Sequence, residues 1–190
     1  MVCNAVESVA IRHRLLPTLA LVAVSMCTQA SLPLHDMSLR VRVGGDRVIG
    51  VEQPERFEST DIGLTWRLPW EQYSASGWGA GTRLLGSIGW MTGANDSALV
   101  LSAIPLLAFG SADGRFTADM GVGGALLSRH RFEQQNYGGH FQFALTVGIS
   151  APLYRNLGIG YRFMHYSDAA MYGPHSIGAD FHMAELNYRF

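Results

Sequence analysis

Along most of this chain apolar and polar residues alternate with a period of two, in runs of roughly ten residues. Such alternation sends successive side chains to opposite faces, so each run reads as a strand with two unlike faces. Met37, Leu39, Val41 and Val43 alternate with Ser38, Arg40 and Arg42. Ile62, Leu64, Trp66, Leu68 and Trp70 alternate with Asp61, Gly63, Thr65 and Arg67. The run from Trp78 to Trp90 repeats the pattern, with Arg83, Ser87 and glycines on its second face. Ala98 to Phe109 is apolar on both faces, which leaves its register open. Phe116, Ala118, Met120 and Val122 then alternate with Thr117, Asp119 and Gly121. Phe141, Phe143, Leu145, Val147 and Ile149 alternate with Gln142, Ala144, Thr146, Gly148 and Ser150. Leu157–Ser167 and Gly178–Phe190 complete a set of eight runs.

The connections carry turn-forming stretches: GGDR, EQYSASG, TGANDS, GSADGR, SAPLYRN and MYGPHS. No segment between the runs has a helical period, so the simplest order is antiparallel and up-and-down. The expectation is an all-β chain of eight strands closed into a small barrel whose lumen is filled by side chains.

The two faces differ in chemistry. One is built of Leu, Val, Ile, Phe and Trp. The other holds Arg40, Arg42, Arg67, Arg83, Arg162 and Arg189 with Asp61, Asp119 and Glu185. Charges that are few and of mixed sign suit a paired, packed lumen, and the apolar face then turns outward to lipid. Trp66, Trp70, Trp78, Trp90, Tyr161 and Tyr188 supply candidates for aromatic girdles at the membrane surfaces. The barrel is therefore expected to be transmembrane. A soluble, lipocalin-like barrel with the faces reversed is the alternative. No run after the N-terminus reaches about eighteen consecutive apolar residues, so no transmembrane helix is expected.

Composition sharpens this picture. Of 190 residues 48% are apolar and only 15% charged, and the net charge of −1 gives no footprint for nucleic acid. Every cation other than His is Arg, which suits fixed, buried ion pairs and equally suits a bias in genome composition. The N-terminus reads as an export signal: basic Arg12, His13 and Arg14, an apolar stretch from Leu15 to Cys27, and a small residue at Ala30. Residues 1–30 are expected to be removed, leaving 31–190 as one barrel domain. Both cysteines, Cys3 and Cys27, fall in the removed part, so the mature chain has no disulfide, thiolate metal site or Cys nucleophile. No zinc pattern, P-loop or dinucleotide fingerprint occurs, and neither metal nor cofactor is expected.

The last run ends in Leu186-Asn187-Tyr188-Arg189-Phe190. An alternating final strand with a terminal Phe resembles the signal read by the barrel-assembly machinery of the Gram-negative outer membrane. That orientation puts Phe190 on the periplasmic side and the connection between the last two strands at the outer leaflet.

Three polar residues stand out beside that connection. On the seventh run His165 and Ser167 share the parity of Leu157, Ile159, Tyr161 and Phe163. On the eighth, Asp180 and His182 share that of Ala184, Leu186, Tyr188 and Phe190. His165, Ser167 and Asp180 thus lie on the lipid side of adjacent antiparallel strands. Residues i and i+2 on a strand are about 7 Å apart, so His165 can reach Ser167, and Asp180 can reach His165 from across. A Ser nucleophile, a His base and an acid that fixes the imidazole tautomer make a hydrolytic site. The spacing alone equally suits polar residues resting at headgroup level.

The segment His165-Tyr166-Ser167-Asp168-Ala169, followed by Pro174 and Gly178-Ala179-Asp180, resembles the PagL family of lipid A 3-O-deacylases. The likeness continues from about Ser38 to the end and includes Leu64-Thr65-Trp66 and the Gly121–Gly124 run. The resemblance implies an eight-stranded outer-membrane barrel. It implies hydrolysis of the ester-linked acyl chain at the 3-position of lipid A, with lipopolysaccharide as substrate in the surrounding outer-membrane lipid. It also implies Ser167 as nucleophile, His165 as general base and acid, and Asp180 as the acid. Three residues depart from the family pattern. Asp168 stands where Asn is usual, Ala170 where Gly is frequent, and His175 where an Asn contributes to the oxyanion site. His175 retains a donor, whereas an ionised Asp168 beside an oxyanion would oppose it. Glu185 has lumen parity and is a poorer acid, and His182 lies one step deeper on the site's face. A non-catalytic barrel, structural or adhesive, is the competing function, and homodimerisation is left open.

Overall fold

The computed structural model describes residues 32–45, 47–48, 51–173 and 176–190. The expected signal segment 1–30, with Cys3 and Cys27, lies outside the described residues, as does His175. In chain order the strands are β1 (Leu34–Gly44), β2 (Arg47–Val48), β3 (Val51–Glu52), β4 (Glu58–Tyr73), β5 (Trp78–Gly93) and β6 (Asp96–Ser111). They continue with β7 (Thr117–Leu127), β8 (Arg131–Phe132), β9 (Gln135–Asn136), β10 (Phe141–Tyr154), β11 (Leu157–Ser167) and β12 (Ala179–Arg189). Eight of these close one antiparallel barrel in the order β1-β12-β11-β10-β7-β6-β5-β4, with β4 pairing back to β1. This is the up-and-down barrel the alternation predicts. Two short hairpins, β2–β3 and β8–β9, are additional and lie in connections that show no long alternation.

The strands turn at two unlike ends. At one end the links are short, at 74–77, 112–116 and 155–156. At the other lie the long connections 45–57, 128–140 and 168–178, together with the two-residue turn Ala94-Asn95. Both of those turn residues have positive φ, 50° and 64°, the geometry that matches a tight hairpin to strand twist.

Pairing also settles the strand whose register the sequence leaves open. In β6 Ala98, Val100, Ile104, Leu106 and Ala108 point into the barrel, while Leu101, Leu107 and Phe109 are exposed outside. Elsewhere the outward row is apolar, with Leu39, Ile62, Ile88, Val122, Val147 and Ile159 all exposed.

The inward row divides into two zones. One is ionic, from the middle of the barrel toward the short-turn end. Arg40 Nε donates to Asp61 Oδ1 at 2.6 Å. Arg162 donates to both oxygens of Asp119, at 2.7 and 3.0 Å, and to Glu185 at 3.1 Å. The cavity beside Asp119, Arg162 and Glu185 measures about 20 Å³, room for roughly one water, so the lumen there is packed and not a channel. Toward the long-loop end the lumen is largely apolar: Met91, Ile104, Met164, Tyr166, Phe181 and Met183 are buried, and the buried Arg42 donates to the Gly45 carbonyl at 2.7 Å. Phe57, Phe132 and Tyr137 close it from above, with Phe57 4.9 Å from Phe132 and 6.4 Å from Phe181, ring centre to ring centre. The alternation did not foretell this cap. Its rings come from the connections, which dock onto the barrel mouth and exclude water from it.

Candidate active site

β11 and β12 run side by side, and their register sets His165 directly opposite Asp180. The contact is short: His165 Nδ1 lies 2.6 Å from Asp180 Oδ1. With Nδ1 committed to the carboxylate, Nε2 is the nitrogen left to face a reacting group. Ser167 ends β11 two residues further along, on the same outward parity and opposite Phe143 of β10. Among the described residues no hydrogen bond joins Ser167 to His165. Catalytic contacts of this kind commonly tighten only when substrate is bound.

Asp180 has the outward parity that the sequence implies, yet it is only 4% exposed. The segment following β1 lies over it. Gly45, with φ of +116°, comes so close that a Cβ there would sit 2.2 Å from the Asp180 carbonyl oxygen. Gln53 accepts a hydrogen bond from the Asp180 N–H at 3.4 Å. The Asp180 carboxylate is therefore held inside a protein wall, and the His165 imidazole beside it is the more accessible partner. The return of the last connection is equally tight. A Cβ on Gly178 would meet the Tyr166 carbonyl oxygen at 2.3 Å and Ser167 Cβ at 3.3 Å.

Beyond Ser167 the chain makes a sharp turn. Ala169 and Ala170 have φ of 51° and 63°, and Met171 N–H returns to the Asp168 carbonyl at 3.0 Å. The Asp168 carboxylate braces this turn from within. Its Oδ1 accepts from Ala170 N–H at 3.1 Å and its Oδ2 from Tyr172 N–H at 2.9 Å. Burial pushes the Asp168 pKa up, but hydrogen bonds from Ser176, Tyr172 and Ala170 outweigh it and hold the carboxyl below its usual range. Asp168 thus acts as an ionised turn brace, and the Ala170 N–H is committed to it. Of the three residues singled out for oxyanion or positioning roles, Asp168 and Ala170 face each other in this turn, and His175 is outside the described residues.

Apolar groups flank Ser167. Phe141 and Phe143 meet edge to face at 5.4 Å, Leu145 stands opposite His165, and Met171 and Tyr172 are exposed on the turn. His182 lies one row deeper than Asp180, opposite Phe163, and is hydrogen-bonded to the Tyr161 hydroxyl. Glu185 is engaged by Arg162 in the lumen, away from His165.

Two residues at the site escape sequence reading. Gln53 reaches Asp180 across 127 residues of sequence, and Gln135 reaches Gly178 across 43. Both sit in connections without periodic pattern, and no local signal distinguishes them from other loop glutamines.

Residues 59–189 match the family described as lipid A 3-O-deacylase (PagL). The curated lipid A deacylase PagL of Bordetella bronchiseptica is 30% identical over 89 residues, which cover 47% of this chain and 49% of that protein. The match thus spans about half the length of that relative. Among solved structures, the crystal structure of the outer membrane enzyme PagL superposes with a TM-score of 0.64 at 20% identity, covering 82% of this chain and 99% of the other. At that identity the likeness establishes a shared fold. The backbone structure of the Yersinia pestis outer membrane protein Ail gives a TM-score of 0.44 at 13% identity, over 82% of this chain and 99% of Ail.

Proposed function

We propose, from the premise that the chain belongs to the PagL family of lipid A 3-O-deacylases, that it is an outer-membrane serine esterase acting on lipopolysaccharide. It removes the acyl chain ester-linked at the 3-position of lipid A. The observation that carries this reading is the 2.6 Å His165–Asp180 pair on the outer side of the barrel, with Ser167 one step along the same face.

The arrangement gives a complete reaction sequence. Ser167 Oγ attacks the ester carbonyl while His165 Nε2 takes its proton, and Asp180 holds the ring and balances the imidazolium. The tetrahedral intermediate collapses, the bond to the sugar oxygen breaks, and His165 returns the proton to that oxygen. Water, deprotonated by His165, then attacks the acyl-serine and releases the fatty acid as the serine hydroxyl re-forms. No metal or redox partner enters these steps.

The placement suits the substrate. Short turns at one end and longer connections at the other are the usual marks of the periplasmic and external ends of such barrels. On that orientation the 168–178 connection lies at the outer leaflet, where lipid A sits, and the flanking Phe143, Leu145 and Phe163 face acyl chains. Residues 1–30 serve as the signal that directs export.

Purified barrel in detergent, given lipopolysaccharide, should release a 3-hydroxy fatty acid, and lipid A mass spectra should show loss of one ester-linked chain. Ser167→Ala should abolish the loss and leave heat-modifiable gel migration intact. Unchanged spectra with wild-type protein, across several lipid A types, would refute the reading and favour a non-catalytic barrel.

A further inference from the structure

The acid and the nucleophile sit at the two margins of the same connection, and neighbouring connections grip that connection from both sides. From the 128–140 connection, the Gln135 side-chain amide donates to the Gly178 carbonyl at 2.7 Å and approaches that of Ile177 at 3.5 Å. Ile177 N–H in turn donates to the Asn136 carbonyl at 2.9 Å. From the 45–57 connection, Gln53 accepts from Asp180 N–H at 3.4 Å while its own amide is anchored on the Glu55 carbonyl at 2.7 Å. Gln135 is 1% exposed and Gln53 7% exposed, so neither is a surface contact that water would replace.

Gly178 links the two halves of the site. It stands two residues before Asp180, and a Cβ added to it would meet the Tyr166 carbonyl oxygen at 2.3 Å and Ser167 Cβ at 3.3 Å, so the backbone there has no room for a side chain. Gly178 thus adjoins both Asp180, through the chain, and Ser167, through space.

We propose that Gln135 is a positioning residue of the catalytic site. Its amide holds Gly178, and through it Asp180 and Ser167, in register, with Gln53 as the opposing clamp. The inference rests on the Ser167–His165–Asp180 reading and adds to it residues that touch neither substrate nor reacting atoms. A misplacement near 1 Å at a catalytic group costs about 10²-fold in rate, so loss of one clamp is a kinetic event well before it unfolds the barrel.

The test uses the full-length barrel in detergent with lipopolysaccharide. Gln135→Met keeps the bulk and removes the donor. It should lower kcat about 10- to 100-fold with KM within about twofold, because the acyl chains rest on the outer wall that Gln135 does not touch. Gln135→Glu separates positioning from packing. Protonated, its carboxyl donates to Gly178; ionised, it opposes two carbonyl oxygens, and burial raises the pH at which that change occurs. The activity ratio of Gln135→Glu to Gln135→Met should therefore rise as pH is lowered from about 8 to about 5. A flat ratio, or Gln135→Met within about twofold of wild type in kcat, would overturn the proposal.

Amide exchange provides a readout independent of turnover. The peptide spanning 177–181 should exchange faster in Gln135→Met, and unchanged protection there would also refute the clamp. If wild-type protein is itself inactive, the esterase reading fails while the exchange result still decides the clamp. Should Gln135→Met not give the folded, heat-modifiable form, Gln53→Met carries the same expectation for kcat and exchange.

Discussion

Replacing Asp180 by Asn keeps the shape of the site and removes one charge. In the resting protein the carboxylate meets His165 Nδ1 at 2.6 Å, with side-chain exposures of 12% for His165 and 6% for Asp180. An Asn oxygen can still accept from Nδ1–H, so resting geometry survives. What is lost appears when the imidazole takes the serine proton and becomes a cation. Opposite unit charges about 4 Å apart attract by about 4 kcal/mol at an effective dielectric of 20. The imidazole is part-exposed, and an amide oxygen restores part of the attraction, so a net loss of about 2–3 kcal/mol is the working value. At 1.36 kcal/mol per decade this is a fall in kcat of about 30- to 160-fold. A larger fall, toward about 10⁴, is expected if the amide turns its NH₂ to Nδ1 and imposes the other tautomer, as happens in Ser-His-Asp proteases. The assay is the initial rate of 3-hydroxy fatty acid release from lipopolysaccharide in detergent, with heat-modifiable migration as the folding check. KM should hardly move, since Asp180 is covered and does not face the substrate. A variant with kcat within about threefold of wild type would refute the assignment of Asp180 as the acid, and so would a loss carried by KM alone.

The remaining expectations concern the turn and the lumen. Asp168→Ala removes the acceptor of two backbone N–H groups and should cost about 2 kcal/mol, read as a lower denaturation midpoint in detergent. The folded-state pKa of Asp168 lies below its ordinary value of 3.8. Its contribution is therefore fully present above about 3.8 and is lost as pH falls through the lower folded value, so the gap between wild type and Asp168→Ala should close in strong acid. A gap that persists there would show that the carboxylate is not the brace. Ala170→Gly relieves a φ of 63° and should stabilise the protein by about 1 kcal/mol, measured as a raised midpoint. Arg162→Met strands two buried carboxylates, Asp119 and Glu185, and should cost about 3–5 kcal/mol; adding Asp119→Asn should recover part of that loss, and denaturant titration of both variants checks it.

Period-two patterning was sufficient for the architecture, because side-chain alternation is a property of the strand itself and survives whatever the strand pairs with. Parity alone placed Arg40, Asp61, Arg162 and Glu185 inside and put His165, Ser167 and Asp180 on one outer face. The motif around His165 and Ser167 was legible for the same reason, being contiguous on one strand. The sequence could not supply the facts that depend on which strands become neighbours and how the connections fold back over them. The register of β6 followed only from its pairing with β5 and β7, since a strand apolar on both faces has no internal marker of which side is wet. The apolar upper lumen arose because Phe57, Phe132 and Tyr137 descend from connections with no repeat. Asp168 was singled out for its charge near an oxyanion, and the turn shows that charge bound to backbone amides. The hold of Gln53 on Asp180, and that of Gln135 on Gly178, join segments 127 and 43 residues apart. Alternation, which is local, determined the barrel and the parity shared by His165, Ser167 and Asp180. Barrel closure, which is not local, decided how deeply Asp180 is covered and which distant side chains meet it and Gly178.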